Sequence, residues 1–130
     1  MADFERTAIV PVGPDQAFQY LSNPANLPKY VSMMIMARPE SQDRLHVAAE
    51  VEGRHEEGEA HFRTNAGERR MEWGGEGDAH YRGSLQVQDS GEGTSVKIEI
   101  HTGHEHDASE IERALDETVS NIEQQLRATM

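Results

Sequence analysis

From about residue 32 to 102 the chain mostly alternates apolar and polar side chains. Val47, Ala49 and Val51 alternate with His46, Ala48, Glu50 and Glu52. Ala60 and Phe62 alternate with Glu59, His61 and Arg63, and Met71 and Trp73 with Arg70 and Glu72. Leu85 and Val87, then Val96, Ile98 and Ile100, repeat the pattern. Successive side chains on a strand point to opposite faces, so each run has one face to bury and one to wet, as in an antiparallel sheet. The period changes in "DASEIERALDETVSNIEQQLRATM" (107–130), where Ile111, Leu115, Val119, Ile122 and Leu126 fall at spacings of four, four, three and four. That is one apolar stripe on a long helix, which Asp107 with Glu110, or Ser109 with Glu112, can cap. So narrow a stripe also suits a coiled-coil seam, but packing over a sheet is the commoner arrangement. One apolar sheet face and one apolar helix stripe can cover each other, which predicts an α+β domain.

The flanking segments agree. "FERTAIVPV" (4–12) reads as an opening strand and "GPDQAFQYLSN" (13–23) as a short helix, with Pro14 suited to its first turn. "NPANLPKYV" (23–31) carries Pro24 and Pro28 and holds only a turn or two of helix. A two-residue loop at Gly53-Arg54 would set Val47 opposite Ala60 and His46 opposite His61. A tight turn in "NAGE" (65–68), with Gly67 at positive φ, would set Phe62 against Met71 and Ala60 against Trp73. "DSGEGT" (89–94) makes the next turn.

Composition narrows the function. At 130 residues the chain suits a single domain, residues 1–130. It has no cysteine, which excludes disulfides, thiolate metal sites and a cysteine nucleophile. A net charge of −12 repels phosphate backbones, so neither nucleic acid nor an anionic membrane surface is expected as a partner. The local basic cluster is Arg69-Arg70. The opening residues do not read as a signal peptide, and no stretch approaches the ~20 apolar residues of a membrane span. A cytoplasmic protein without membrane insertion is expected.

The order of elements resembles the helix-grip fold of the START and polyketide cyclase/dehydrase (SRPBCC) superfamily. "IVPVGPDQAFQYLSNPANLPKY" (9–30) is similar to its opening, with Tyr30 where tryptophan is common. "ERRMEW" (68–73) resembles its arginine–apolar–x–tryptophan strand, and "GTSVKIEI" (93–100) its glycine–threonine strand. The resemblance implies a curved antiparallel sheet wrapped around the C-terminal helix, with two short helices after the first strand. It also implies a cavity between sheet and helix for a small hydrophobic molecule, a lipid or an aromatic metabolite. No common catalytic triad carries over, so function has to be argued from the lining.

From the strands, that lining would be Val47, Ala49, Val51, Phe62, Met71, Trp73, Tyr81, Leu85 and Ile98. The helix would add Leu115, Val119 and Ile122, while Tyr30, Met33 and Met34 would close one end. These positions offer almost no acid or base: Tyr81 has a hydroxyl, Glu56 lies near a strand end, and Arg38 and His80 could reach a rim. A register slip would turn Glu50 or Glu72 inward. The expected function is binding or transport of a small hydrophobic ligand, with no cofactor. The alternatives are a cyclase/dehydratase-like enzyme and a protein-interaction module with a filled core, as monomer or homodimer.

Seven histidines remain, three of them in "HTGHEH" (101–106). A zinc site needs three or four converging ligands, and Gly103 and Asp107 point instead to a strand–helix loop, so no metal is expected. Protonating all seven would cut the net charge from −12 to −5, and acidification is expected to lower solubility.

Overall fold

The structure is a computed structural model that describes residues 2–32, 34–41, 43–51, 54–75, 81–91, 93–102 and 108–128. Strand β1 (Ala2–Val10) leads through Pro11–Gly13 into helix α1 (Pro14–Leu21). Pro14 sits in the first turn of α1, where its missing N–H costs nothing. A single 3-10 turn (Pro24–Asn26) follows, with the Asn23 side chain accepting from the N–H of Ala25, and then α2 (Leu27–Tyr30). Strands β2 (Met34–Ser41), β3 (Arg44–Val51), β4 (Arg54–Asn65), β5 (Arg70–Gly75), β6 (Tyr81–Asp89) and β7 (Thr94–Thr102) precede α3 (Ala108–Arg127).

The strands form one antiparallel sheet in the order β1-β7-β6-β5-β4-β3-β2. This is the helix-grip arrangement. Its inner face carries the core: Ala8 and Val10 from β1, Val96, Ile98 and Ile100 from β7, Leu85 and Val87 from β6, Met71 from β5 and Phe62 from β4. Leu115, Ile122 and Leu126 of α3 join the same cluster, as do Ala17, Phe18 and Leu21 of α1. Helix α3 lies along β1 and against α2, while α1 packs on β6 and β7. A helix over a sheet, rather than a coiled-coil seam, accounts for the apolar stripe.

Two hairpins differ from the expected register. Val51 pairs with Arg54, so residues 52–53, not Gly53-Arg54, connect β3 to β4. His46 therefore faces Glu59, Leu45 faces Ala60, and Arg44 faces His61. At the next hairpin Asn65 pairs with Arg70 across a four-residue connection, which puts Phe62 opposite Trp73 and Ala60 opposite Gly75. The longer loop closes because Asn65 Oδ1 accepts from the N–H of Glu68 at 3.2 Å and the N–H of Arg69 donates to Ala66 O at 3.3 Å. The positive φ falls on Arg69 (50°), not on Gly67. That conformation is uncommon for a side-chain-bearing residue. Arg69 is anchored on both sides: its carbonyl accepts from the N–H of Val87 at 2.9 Å, and its guanidinium pairs with Asp15 at 2.8 Å. Each register moves by two in the sum of partner numbers, so every residue keeps its predicted face.

The glycine–threonine pair at the start of β7 has a steric cause. A Cβ on Gly93 would press on the carbonyl oxygen of Val10, and the buried Thr94 hydroxyl donates to Val12 O. The turn between β6 and β7 is thereby pinned to the end of β1.

Candidate functional site

The inner face divides into two parts. Toward β1, β7 and β6 the helices seal it, and Val96, Ile98, Leu85 and Val87 are buried. Toward β2, β3 and β5 the apolar side chains of Met34, Ala37, Val47 and Trp73 are only partly buried against the core, and so is Val119 of α3. Ala37 faces Val47 across β2 and β3, and Trp73 faces both Phe62 and Gly83. These apolar side chains pack against the core and keep partial access to solvent. Such a surface can take up an apolar ligand by removing it from water.

Trp73 owes its placement to its partner. A Cβ on Gly83 would run into the indole at Cε2, Cζ2 and Nε1, so only glycine lets the ring lie across β6. Tyr30 packs against the end of α1. It is 1% exposed and its hydroxyl donates to Leu21 O at 2.6 Å. Burial, with the neighbouring Tyr20 second, pushes this phenol above its ordinary range. Tyr20 itself donates to Gln125 Oε1 of α3 at 2.8 Å, and the N–H of Ser32 donates to Thr118 Oγ1 at 2.9 Å. These bonds tie α3 to the first helices.

The predicted lining thus resolves into groups. Val47, Trp73, Met34 and Val119 are partly buried against the core. Phe62, Met71, Leu85, Ile98, Leu115, Ile122 and Tyr30 lie in the buried core beneath it. Met33 lies outside the described residues, as do the side chains of Ala49, Val51 and Tyr81. Ala37 was not in the predicted set. Its signal was pairing with Val47, which depends on a β2 bulge that no sequence period reveals.

The acids considered for catalysis lie on the other face. Glu72 pairs with Arg63 and Ser84 in the sheet and forms an ion pair with Arg70 at 2.9 Å. Glu50 faces His55 and is exposed, and Arg38 meets Glu40 at 3.8 Å on the outer face of β2. His80 and the side chain of Glu56 lie outside the described residues. Arg6 reaches α3, pairing with Asp116 at 2.9 Å.

Among the described residues, His46, His55 and His101 face carboxylates. His101 Nδ1 lies 2.6 Å from Asp3 and ties β7 to β1, while residues 103–107 of the histidine-rich segment lie outside the described residues. On the outer face His46 contacts Glu57 through Nε2 at 2.9 Å and Glu59 through Nδ1 at 3.2 Å. The hydrogen bond to Glu57, then that to Glu59, raises the His46 pKa, and His46 in turn holds both carboxylates below their usual range. Glu40, His46 and Glu59 bring potential metal-ligand atoms within 4.8 Å of one another. The His46 imidazole nitrogens contact Glu57 and Glu59, while Glu40 meets Arg38.

The chain matches the family model "Polyketide cyclase / dehydrase and lipid transport" over residues 1–128. No curated protein matches it by sequence. Among solved structures it is similar to TTHA0849 from Thermus thermophilus, with a TM-score of 0.80 and 14% identity over 98% of this chain and 99% of that one. A START superfamily protein from Mycobacterium smegmatis superposes with a TM-score of 0.77 and 10% identity over 98% and 99% of the two chains. The Zhui aromatase/cyclase from Streptomyces sp. R1128 gives 0.76 and 10% over 97% and 93%. At such identities the structural likenesses speak for the fold, and no helix among the described residues is long and apolar enough to cross a membrane. The sheet, its helix and the match along nearly the whole sequence lead to one conclusion: this chain belongs to the polyketide cyclase/dehydrase and lipid transport family.

Proposed function

We propose that this chain binds and carries a small hydrophobic molecule, a lipid or an aromatic metabolite, in the cytoplasm, as a monomer or homodimer. The ligand would lie on the inner face between the β2–β5 side of the sheet and α3. The observation that carries this reading is the set of apolar side chains Met34, Ala37, Val47, Trp73 and Val119, partly buried against the core. A folded chain that leaves apolar side chains partly wet forgoes burial worth roughly 25 cal/mol per Å². A ligand recovers it. Methionine adapts to varied ligand shapes, and the indole supplies a flat stacking surface.

Native mass spectrometry of the gently purified protein, set against its denatured mass, tests this. A reproducible added mass in the range of a lipid or metabolite supports the carrier. Titration with a neutral apolar dye that never saturates, together with a bare native mass, would sink it in favour of a filled core. Conversion of a bound polyketide-like compound would instead move the assignment to the cyclase/dehydratase reading.

A further inference from the structure

The outer face of the sheet, opposite the proposed ligand surface, holds a groove of about 300 Å³. Arg63, Arg70, Arg82, His61 and His101 rim it, and Ser84 lies within its lining. These residues come from four strands and meet through the register. One cross-strand row runs His61, Gly74, Arg82, His101, and the next runs Arg63, Glu72, Ser84. Gly74 has no side chain and Ser84 a short one, so the sheet is low where the long cationic side chains around it are tall.

Three features make this a built site. Three of the chain's twelve lysines and arginines converge here, in a protein whose net charge is −12. Arg63 and Arg82 make no ion pair among the described residues, and the neighbouring carboxylates are engaged, Glu72 by Arg70 at 2.9 Å and Glu99 by Lys97 at 3.1 Å. Ser84 is only 7% exposed, yet its hydroxyl has no hydrogen-bond partner among the described residues. The Ser84 hydroxyl can donate into the groove, and the guanidiniums of Arg63 and Arg82, without an ion pair among the described residues, offer forked donors suited to a planar or tetrahedral oxyanion.

We infer that this groove binds the anionic group, phosphate or carboxylate, of a small molecule. Arg63 and Arg82 would clamp the oxyanion from two sides and Ser84 would donate from the floor. A volume of about 300 Å³ leaves room for an organic portion beyond the anion, at the small end of ligand sites. The site lies on the other face of the sheet from the proposed hydrophobic ligand and stands or falls separately from it.

The test is titration of the intact protein with inorganic phosphate and, separately, with succinate, at constant ionic strength. Binding is read from the backbone amide resonances of Ser84 and Arg82, both in the groove lining. Saturable shifts are expected. The Arg63→Gln/Arg82→Gln pair, and Arg82→Gln alone, should raise the half-saturating concentration about tenfold or more, the loss expected for a charge-assisted hydrogen bond. Ser84→Ala should raise it by a smaller factor. Arg38→Gln, which removes an equal charge elsewhere on the outer face, should leave it unchanged. Saturation by phosphate but not succinate identifies a phosphoryl group, and the reverse a carboxylate. Shifts that grow linearly with both anions, or equal weakening by Arg38→Gln, would overturn the site.

Discussion

The indole of Trp73 occupies the space that a side chain at position 83 would need, and Gly83 is its direct cross-strand partner. The pair fixes where the flat aromatic surface of the inner face lies. Gly83→Ala is expected to displace the ring and to destabilise the fold by about 1–3 kcal/mol, the usual result of inserting a methyl into occupied space. Because Trp73 is the sole tryptophan, its emission maximum reports the displacement while urea unfolding reports the stability. Unchanged emission would mean that the ring does not depend on the glycine.

Tyr30→Phe should cost about 0.5–1.5 kcal/mol, because it removes the hydroxyl that satisfies the buried Leu21 carbonyl. A pH effect accompanies it. The Tyr30 pKa is raised on folding, so its contribution is complete below the unfolded value and is lost as pH rises past that value, near 10. Thermal unfolding of both proteins from pH 8 to 11 checks this. The wild type should lose stability relative to the phenylalanine variant above about pH 10.

His46 gives the opposite half of the pH profile. Its pKa is raised in the folded state by Glu57 and then Glu59, so its contribution is present below the unfolded value of about 6.5 and fades as pH climbs through the higher folded value. Glu57 and Glu59 are lowered, so their contribution appears above the unfolded carboxylate range and is lost on acidification. The network therefore helps most between those limits. The difference in Tm between wild type and His46→Gln should be larger at pH 6 than at pH 9. A constant difference across that range would show that the imidazolium plays no part.

Val47→Trp is expected to fill the partly open surface beside Ala37. Binding of a neutral apolar dye such as Nile red should weaken about tenfold, the consequence of losing one well-packed contact region worth about 1.4 kcal/mol. Tm should stay level or rise, because the new side chain covers a surface that was partly wet. Unaltered dye binding would place the ligand elsewhere.

The two periodicities, two along the strands and between three and four along the last helix, were enough for the sequence to define the elements, the buried face and the family fold. They survive any register whose partner numbers sum to the same parity, which is why Phe62, Met71, Leu85 and Ile98 are buried even though two hairpins pair differently from expectation. What the sequence could not settle was which residues meet across strands. Loop length decides that, and Asn65 and Arg69 close a four-residue connection by local hydrogen bonds that a glycine count does not foresee. Only the tertiary structure therefore gave His46 its Glu59 partner and laid Trp73 over Gly83. It also gathered Arg63, Arg70 and Arg82, each at least seven positions from the next, around Ser84. Faces are a property of each strand alone, whereas neighbours across a sheet are a property of the turns that join them.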